Sequence, residues 1–218
     1  MTLKLYYATG ASSFVPHVML EAAGTTFETV RIKLHENEQQ SPEYLALNPR
    51  GQVPVLVDGK LVITQVMAIV AHLDAKFPES QFVPKEPLAR VRFIEKLAWM
   101  NNTVHPTFTH IYMPFRFTDD PQAQAVLKRF NTDAYRRLLG QLQDMVMQTQ
   151  ADGRDWLGGV RIGPLDAYAL TLLRWGILVG IDPESLPKLW TYAQRVARVP
   201  VVARTMERER LKLSRRLD

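Results

Sequence analysis

The sequence predicts a mixed α/β unit followed by an all-α one, and three features carry that expectation. Up to about residue 76 the chain switches between strand-like alternation and helical spacing, in the order βαβ, a short helix, then ββα. The stretch from Phe77 to Pro87 lacks periodicity and holds Pro78, Pro84 and Pro87. Everything after it places apolar residues at helical spacing. The expected organisation is therefore a first domain over 1–77, a linker over 78–87 and an all-helical domain over 88–218.

Each element has its own local reason. Residues 3–7 alternate as a strand. Gly10 to Ser13 is a loop of small residues, and Phe14 to Ala23 is a helix that Gly24 ends, with Pro16 tolerated in its first turn. Phe27 to Ile32 is a second strand. Ser41-Pro42-Glu43 starts a short helix, with serine as cap and proline in the first helical position, and Asn48-Pro49 ends it. Strands at 53–57 and 60–63 are joined by Asp58-Gly59, and a helix over 65–76 closes the unit. Long amphipathic helices are expected at 89–111 and 122–150. Leu165 to Val179 is almost wholly apolar and should be central, and Leu186 to Arg198 forms another helix before Val199-Pro200.

Composition narrows the class. With 218 residues, 46% hydrophobic and 22% charged, the chain can bury a substantial core. It shows no apolar run of the roughly 18 residues needed to span a bilayer and no secretory leader pattern, so a cytoplasmic location is expected. It has no cysteine, which removes disulfides, thiolate metal sites and any protein thiol nucleophile. The five histidines lack ligand spacing, and no metal is expected. The net charge of +5 gathers partly at Arg204, Arg208, Arg210, Lys212, Arg215 and Arg216. Glu207, Glu209 and Asp218 interrupt that tail and no aromatic residue interleaves with it. It reads as a solvated terminal helix that frays, not a nucleic-acid surface.

The most informative stretch is Asn48-Pro49-Arg50-Gly51-Gln52-Val53-Pro54, with Thr64-Gln65-Val66-Met67-Ala68-Ile69 ten residues on. The first is a turn feeding a strand that a proline opens; the second starts a helix whose first N–H groups are free. Together they could hold an extended peptide by its backbone and its carboxylate. This pairing resembles the glutathione site of the cytosolic glutathione S-transferases, whose thioredoxin-like first domain carries a cis-proline here. The two-part layout supports the resemblance over nearly the whole chain. So does Gly163-Pro164-Leu165-Asp166-Ala167-Tyr168, which resembles the capping box of the family's buried central helix, with glycine in place of the usual Ser or Thr. Asp166 is read as structural.

The resemblance implies where glutathione would sit. Val53, before a cis Pro54 and beside Gln52, would pair with the cysteinyl backbone. The head of the 65–76 helix would take the γ-glutamyl carboxylate. Gln65 fits the family pattern there, whereas Val66 replaces a serine and removes a hydroxyl worth about 1 kcal/mol. The thiol needs help as well, since lowering its pKa from about 8.5 by two units takes roughly 2.7 kcal/mol. Candidate donors are Tyr7, Ser12 and Ser13. Tyr7-Ala8-Thr9-Gly10-Ala11-Ser12-Ser13 resembles the bacterial beta-class motif in which a cysteine stands where Ser12 does, so Ser12 is the first choice and Ser13 the second. His105, with Asn101 and Asn102 one turn before it, resembles a histidine facing the thiol in that class. Phe108, Tyr112, Phe115 and Phe117 could line an apolar pocket, although core packing is the better reading for most of them. His35 or Asn37 falls where a lysine often meets the glycyl carboxylate, and His17, His72 and His110 read as structural or exposed.

The expected function is conjugation of the glutathione thiolate to a small apolar electrophile by a homodimeric enzyme, with glutathione as co-substrate. The alternative is a family fold kept as a binding or interaction module, motivated by Val66. A glutathione-dependent thiol reductase is disfavoured because the chain has no cysteine.

Overall fold

The computed structural model of the protein describes residues 2–214. Strands β1 (Leu3–Tyr7), β2 (Phe27–Arg31), β3 (Val55–Asp58) and β4 (Leu61–Thr64) form one sheet in the order β2-β1-β3-β4. β1 and β2 run parallel and are joined through α1 (Phe14–Ala22); the other pairs are antiparallel. Alternation along the strands separates two faces. Leu3, Leu5, Tyr7 and Leu56 join the main core with α1 and α3 (Val66–Lys76), while Tyr6, Val30 and Val55 meet Tyr44 of α2 (Pro42–Leu47) on the other side. Ser41 caps α2 as expected, accepting from the Tyr44 N–H at 3.2 Å. One register differs from expectation. Asp58 pairs with Leu61, so the hairpin loop is Gly59-Lys60, with Gly59 at φ 62° supplying the left-handed turn residue.

The rest of the described chain is helical: α4 (Pro87–Trp99), α5 (His105–Tyr112), α6 (Pro121–Ala151), α7 (Pro164–Leu178), α8 (Pro187–Arg198) and α9 (Pro200–Arg208). Five of these six, and α2, begin on proline, whose fixed φ suits the first helical position and whose missing N–H is one the helix leaves unpaired there. α4 runs into α5 through a π-helical turn, Met100–Val104, in which the His105 N–H reaches back to the Met100 carbonyl. Pro106 lies just beyond, and the wider turn absorbs the hydrogen bond that proline cannot make. α7 is buried along nearly its whole length, and Tyr135 of α6 donates to its Leu172 carbonyl at 2.7 Å. None of the described helices is long and apolar enough to cross a membrane.

The segment before α4 is anchored. Phe82 and Val83 are buried, the Val83 N–H donates to Asp74 at 3.0 Å, and Glu86 caps α4 through the N–H groups of Leu88 and Ala89. The tail overturns its expectation. α9 packs against α1, with Val202, Thr205 and Met206 buried and Glu209 only 1% exposed, so it is part of the core and not a fraying solvated helix. Its Arg204 and Arg208 reach Glu21 of α1. Arg215, Arg216 and Asp218 lie outside the described residues.

Candidate active site

Sheet register assembles the site. Val55 pairs with both Tyr6 and Thr64. Residues just beyond these pairs, namely the loop after β1, Val53-Pro54 before β3 and Gln65-Val66 after β4, therefore leave the sheet at one edge. The Val53–Pro54 peptide bond is cis, and Val53 stands outside the ladder. Behind it the Gln52 carbonyl accepts from the Tyr44 hydroxyl and the Asn48 amide, each at 2.7 Å, which fixes the turn. Gln65 is exposed and held at φ 73°, ψ 128°, an unfavourable conformation for a residue with a Cβ. Such strain concentrates at functional sites. The first i→i−4 bond of α3 is from Ile69 to Gln65, so the N–H groups of Val66, Met67 and Ala68 have no partner within the helix. The Val66 side chain points into the core, 3% exposed, and only its backbone can face this edge.

The two serines before α1 separate. Ser13 is fully buried, and its hydroxyl accepts from the Ala8 N–H and donates to the Ala8 carbonyl, both at 3.2 Å, so it staples the loop. Ser12 is 4% exposed, and its hydroxyl makes no hydrogen bond among the described residues. Tyr7 packs in the core with its ring against His17, and burial, then the Glu209 carboxylate, holds its phenol above the usual range. Its hydroxyl, like that of Ser12, makes no hydrogen bond among the described residues.

The helical part closes on this loop. Trp175 Nε1 donates to the Gly10 carbonyl at 2.8 Å, and the Gly10 N–H donates to Glu209 at 2.9 Å. The other Glu209 oxygen accepts from His17 Nδ1 at 2.8 Å, inside the core. Gly10 sits at φ 67°, a left-handed conformation that favours glycine, and a Cβ there would come within 2.7 Å of Arg174 Nη1 and displace the end of that side chain. His105 packs edge-on against Trp175, 4.7 Å between ring centres, which ties it to the same loop. Its Nδ1 lies 2.8 Å from the Tyr168 hydroxyl. Desolvation draws its pKa down to about 4, so the ring is neutral at pH 7. Asn101 is half-buried and engaged with both Asn102 and Tyr168.

Over 215 residues the chain is 30% identical to the glutathione S-transferase GstA of Escherichia coli O157:H7, covering 96% of this chain and all of that protein. The chain belongs to the glutathione S-transferase family. Residues 1–75 match the family described as glutathione S-transferase, N-terminal domain. Among solved structures, the glutathione-S-transferase from Xylella fastidiosa is 29% identical with a TM-score of 0.85, and a sphingomonad glutathione S-transferase complexed with glutathione is 28% identical with a TM-score of 0.80. Each comparison covers 96% of this chain and all of the other.

Several residues that shape this candidate site were given no role in it from sequence: Trp175, Glu209, Arg174 and Tyr168, with His17 read only as structural or exposed. Their contacts to the loop and to His105 join residues 63 to 199 positions apart, beyond any local pattern. Of the aromatic candidates, Phe108 is buried, stacked between Tyr112 and Trp175, whereas Tyr112, Phe115 and Phe117 are exposed. His35 is exposed beside Glu36, and Asn37 occupies a left-handed turn. Among the described residues no group of three or more His, Asp or Glu could hold a metal ion.

Proposed function

We infer that this chain is a glutathione transferase, binding glutathione along the shared sheet edge and delivering its sulfur, as thiolate, to a small apolar electrophile. The observation that carries this reading is the Ser12 hydroxyl: enclosed, free of protein partners among the described residues, and set at the head of α1. Such a group can donate to a sulfur anion that the α1 dipole also favours. Ser13, committed to Ala8, cannot do the same without opening the loop. The unpartnered N–H groups of Val66, Met67 and Ala68 suit the γ-glutamyl carboxylate, and that role needs no side-chain hydroxyl at position 66. Val53 offers strand-like pairing to the cysteinyl unit. Tyr112, Phe115 and Phe117 supply exposed aromatic surface for the electrophile. The cytoplasm, with its glutathione pool, is the compartment this chemistry requires.

Calorimetry tests the binding half. Wild-type protein should bind glutathione saturably with Kd from about 0.1 to 1 mM, some 4–5.5 kcal/mol. An analogue lacking only the γ-glutamyl α-carboxylate should bind about tenfold more weakly or worse, the worth of hydrogen bonds to a charged group. Equal binding of the two ligands would remove the head of α3 from the site.

The proposed domain limits are 1–77 and 88–218, supported by the end of α3 at Lys76 and the start of α4 at Pro87. A homodimer is proposed as well. Exposed apolar residues lie on both domains: Leu61 and Val62 on β4, and Leu88, Val91 and Ile94 along one face of α4. A two-fold pairing that sets the first domain of one copy against the second domain of the other would cover both patches. Light scattering should give twice the mass of one chain, and Val91→Glu, which buries a charge in that contact, should give a monomer. A monomeric wild type at micromolar concentration would exclude the pairing.

A further inference from the structure

We infer that Arg174 is an electrostatic positioning residue of the thiol site: its guanidinium, lodged against the loop that carries Ser12, balances the buried Glu209 carboxylate and so lets a glutathione thiolate form there. This rests on the reading above, in which the sulfur lies at that loop. The anchor of the loop carries an electrostatic cost. Glu209 is only 1% exposed, and it holds the loop by accepting from the Gly10 N–H at 2.9 Å and from His17 Nδ1 at 2.8 Å. A carboxylate so placed repels a second anion, the thiolate included. His17 does not cancel it. Its other ring nitrogen, Nε2, is buried without a hydrogen-bond partner, which suits the lone pair of a neutral ring and not the N–H of an imidazolium.

Arg174 of α7 supplies the balancing charge. It is 8% exposed, and its Nη1 and Nη2 lie 2.7 and 3.3 Å from where a Gly10 Cβ would stand. Two Cα–Cα steps separate Gly10 from Ser12, so the guanidinium is within about 12 Å of Ser12 however the loop bends. Its Nε has no hydrogen-bond partner, so that edge of the group fixes no neighbour. Burial pushes its pKa down, and Glu209 is the carboxylate that opposes the push. The other cations nearby face water. Arg204 and Arg208 are half-exposed and reach Glu21, and Arg31 and Arg210, which act with Glu209 on Tyr7, are exposed. Solvent and salt screen such charges, whereas a buried one keeps its reach. At an effective dielectric constant of about 20, one charge about 12 Å away moves a thiol by about one pKa unit. The effect is one of field alone: the guanidinium stays charged and takes no proton.

Titration of saturating bound glutathione, followed by thiolate absorbance, tests the balance. Arg174→Met keeps an apolar stem, leaves Glu209 unopposed, and should raise the bound thiol by about one pKa unit. Below the thiol pKa, kcat should then fall about tenfold, and the deficit should close as pH rises past the new value, while KM for glutathione stays within about twofold. Arg174→Gln, neutral but polar, should act the same way and serves if the methionine variant folds poorly. Arg174→Lys keeps the charge and should shift the thiol by less than about half a unit. Adding Glu209→Gln to either neutral variant removes the opposing charge, retains an acceptor for the Gly10 N–H, and should bring the titration back to within about half a unit of wild type. Damage to packing would not be repaired by that second change. A titration unmoved in both neutral variants, an equal shift in Arg174→Lys, or no recovery in the double variant overturns the inference and leaves the glutathione site standing. Absence of glutathione binding by wild type would instead strike the underlying reading, and the inference with it.

Discussion

Replacing Asp166 with alanine is expected to lower the unfolding free energy by about 3–5 kcal/mol, the range for opening a buried charged network. Asp166 is completely buried at the start of α7. One carboxylate oxygen accepts from the Gly163 N–H at 2.8 Å; the other accepts from the Leu157 N–H at 2.8 Å and from the Tyr192 hydroxyl. Glycine has no side chain, so only the aspartate half of a capping box exists, and Asp166 alone anchors the helix start. Burial pushes its carboxyl up, to about 6, against the pull of those donors. Alanine would orphan the Gly163 N–H and the Tyr192 hydroxyl proton, each costing about 1–3 kcal/mol when dry, and leave the Leu157 N–H only its 3.2 Å bond to the Tyr192 oxygen. Asp166→Asn retains one acceptor oxygen and should lose less, about 2 kcal/mol. Urea titration with a common m-value measures both. A loss under about 1 kcal/mol for alanine would mean that the α7 start is held elsewhere.

Ser12→Ala should lower kcat about 10- to 100-fold, because a hydrogen bond to a charged acceptor contributes about 1.5–3 kcal/mol. KM for glutathione should change only a few-fold, since the peptide and carboxylate contacts remain. The thiol of bound glutathione, followed through thiolate absorbance, should titrate about 1–2 units higher. The sign follows: a higher thiol pKa leaves less thiolate at neutral pH, and the deficit should shrink as pH rises past the new value. Ser13→Ala provides the contrast. It cuts both bonds to Ala8 and should appear first as lost stability, about 1–2 kcal/mol. Full turnover by Ser12→Ala with an unmoved thiol titration would exclude the hydroxyl from thiolate stabilisation.

Much of the fold is legible because local rules mark it. Prolines 42, 87, 121, 164, 187 and 200 all stand in first helical positions, and alternation on β1 sorts Leu3, Leu5 and Tyr7 from Tyr6. The turn before Pro54 is marked by the heptad around Gly51, and the cis bond at Pro54 is what the family resemblance carried by that heptad implies. Ser12 and Ser13 look equivalent in sequence; only the Ala8 contacts tell them apart. At position 66 the sequence shows a lost hydroxyl but not that the valine belongs to the core. The tail reads as solvated because a charged residue is ordinarily placed in water, whereas Glu209 is buried against the Gly10 N–H and His17.

That carboxylate also orders events during synthesis. The Ser12 loop is made long before its anchor, because its Gly10 N–H and His17 wait for a residue translated about two hundred positions later. An emerging first domain could form its sheet from neighbouring segments, but not the finished loop. A ribosome-bound chain halted before Glu209 would carry every residue proposed to touch glutathione and still lack the anchor that shapes the thiol end. Competence would come abruptly once Glu209 has been made and can fold back, and a chain halted before it would have little capacity to generate a reactive thiolate.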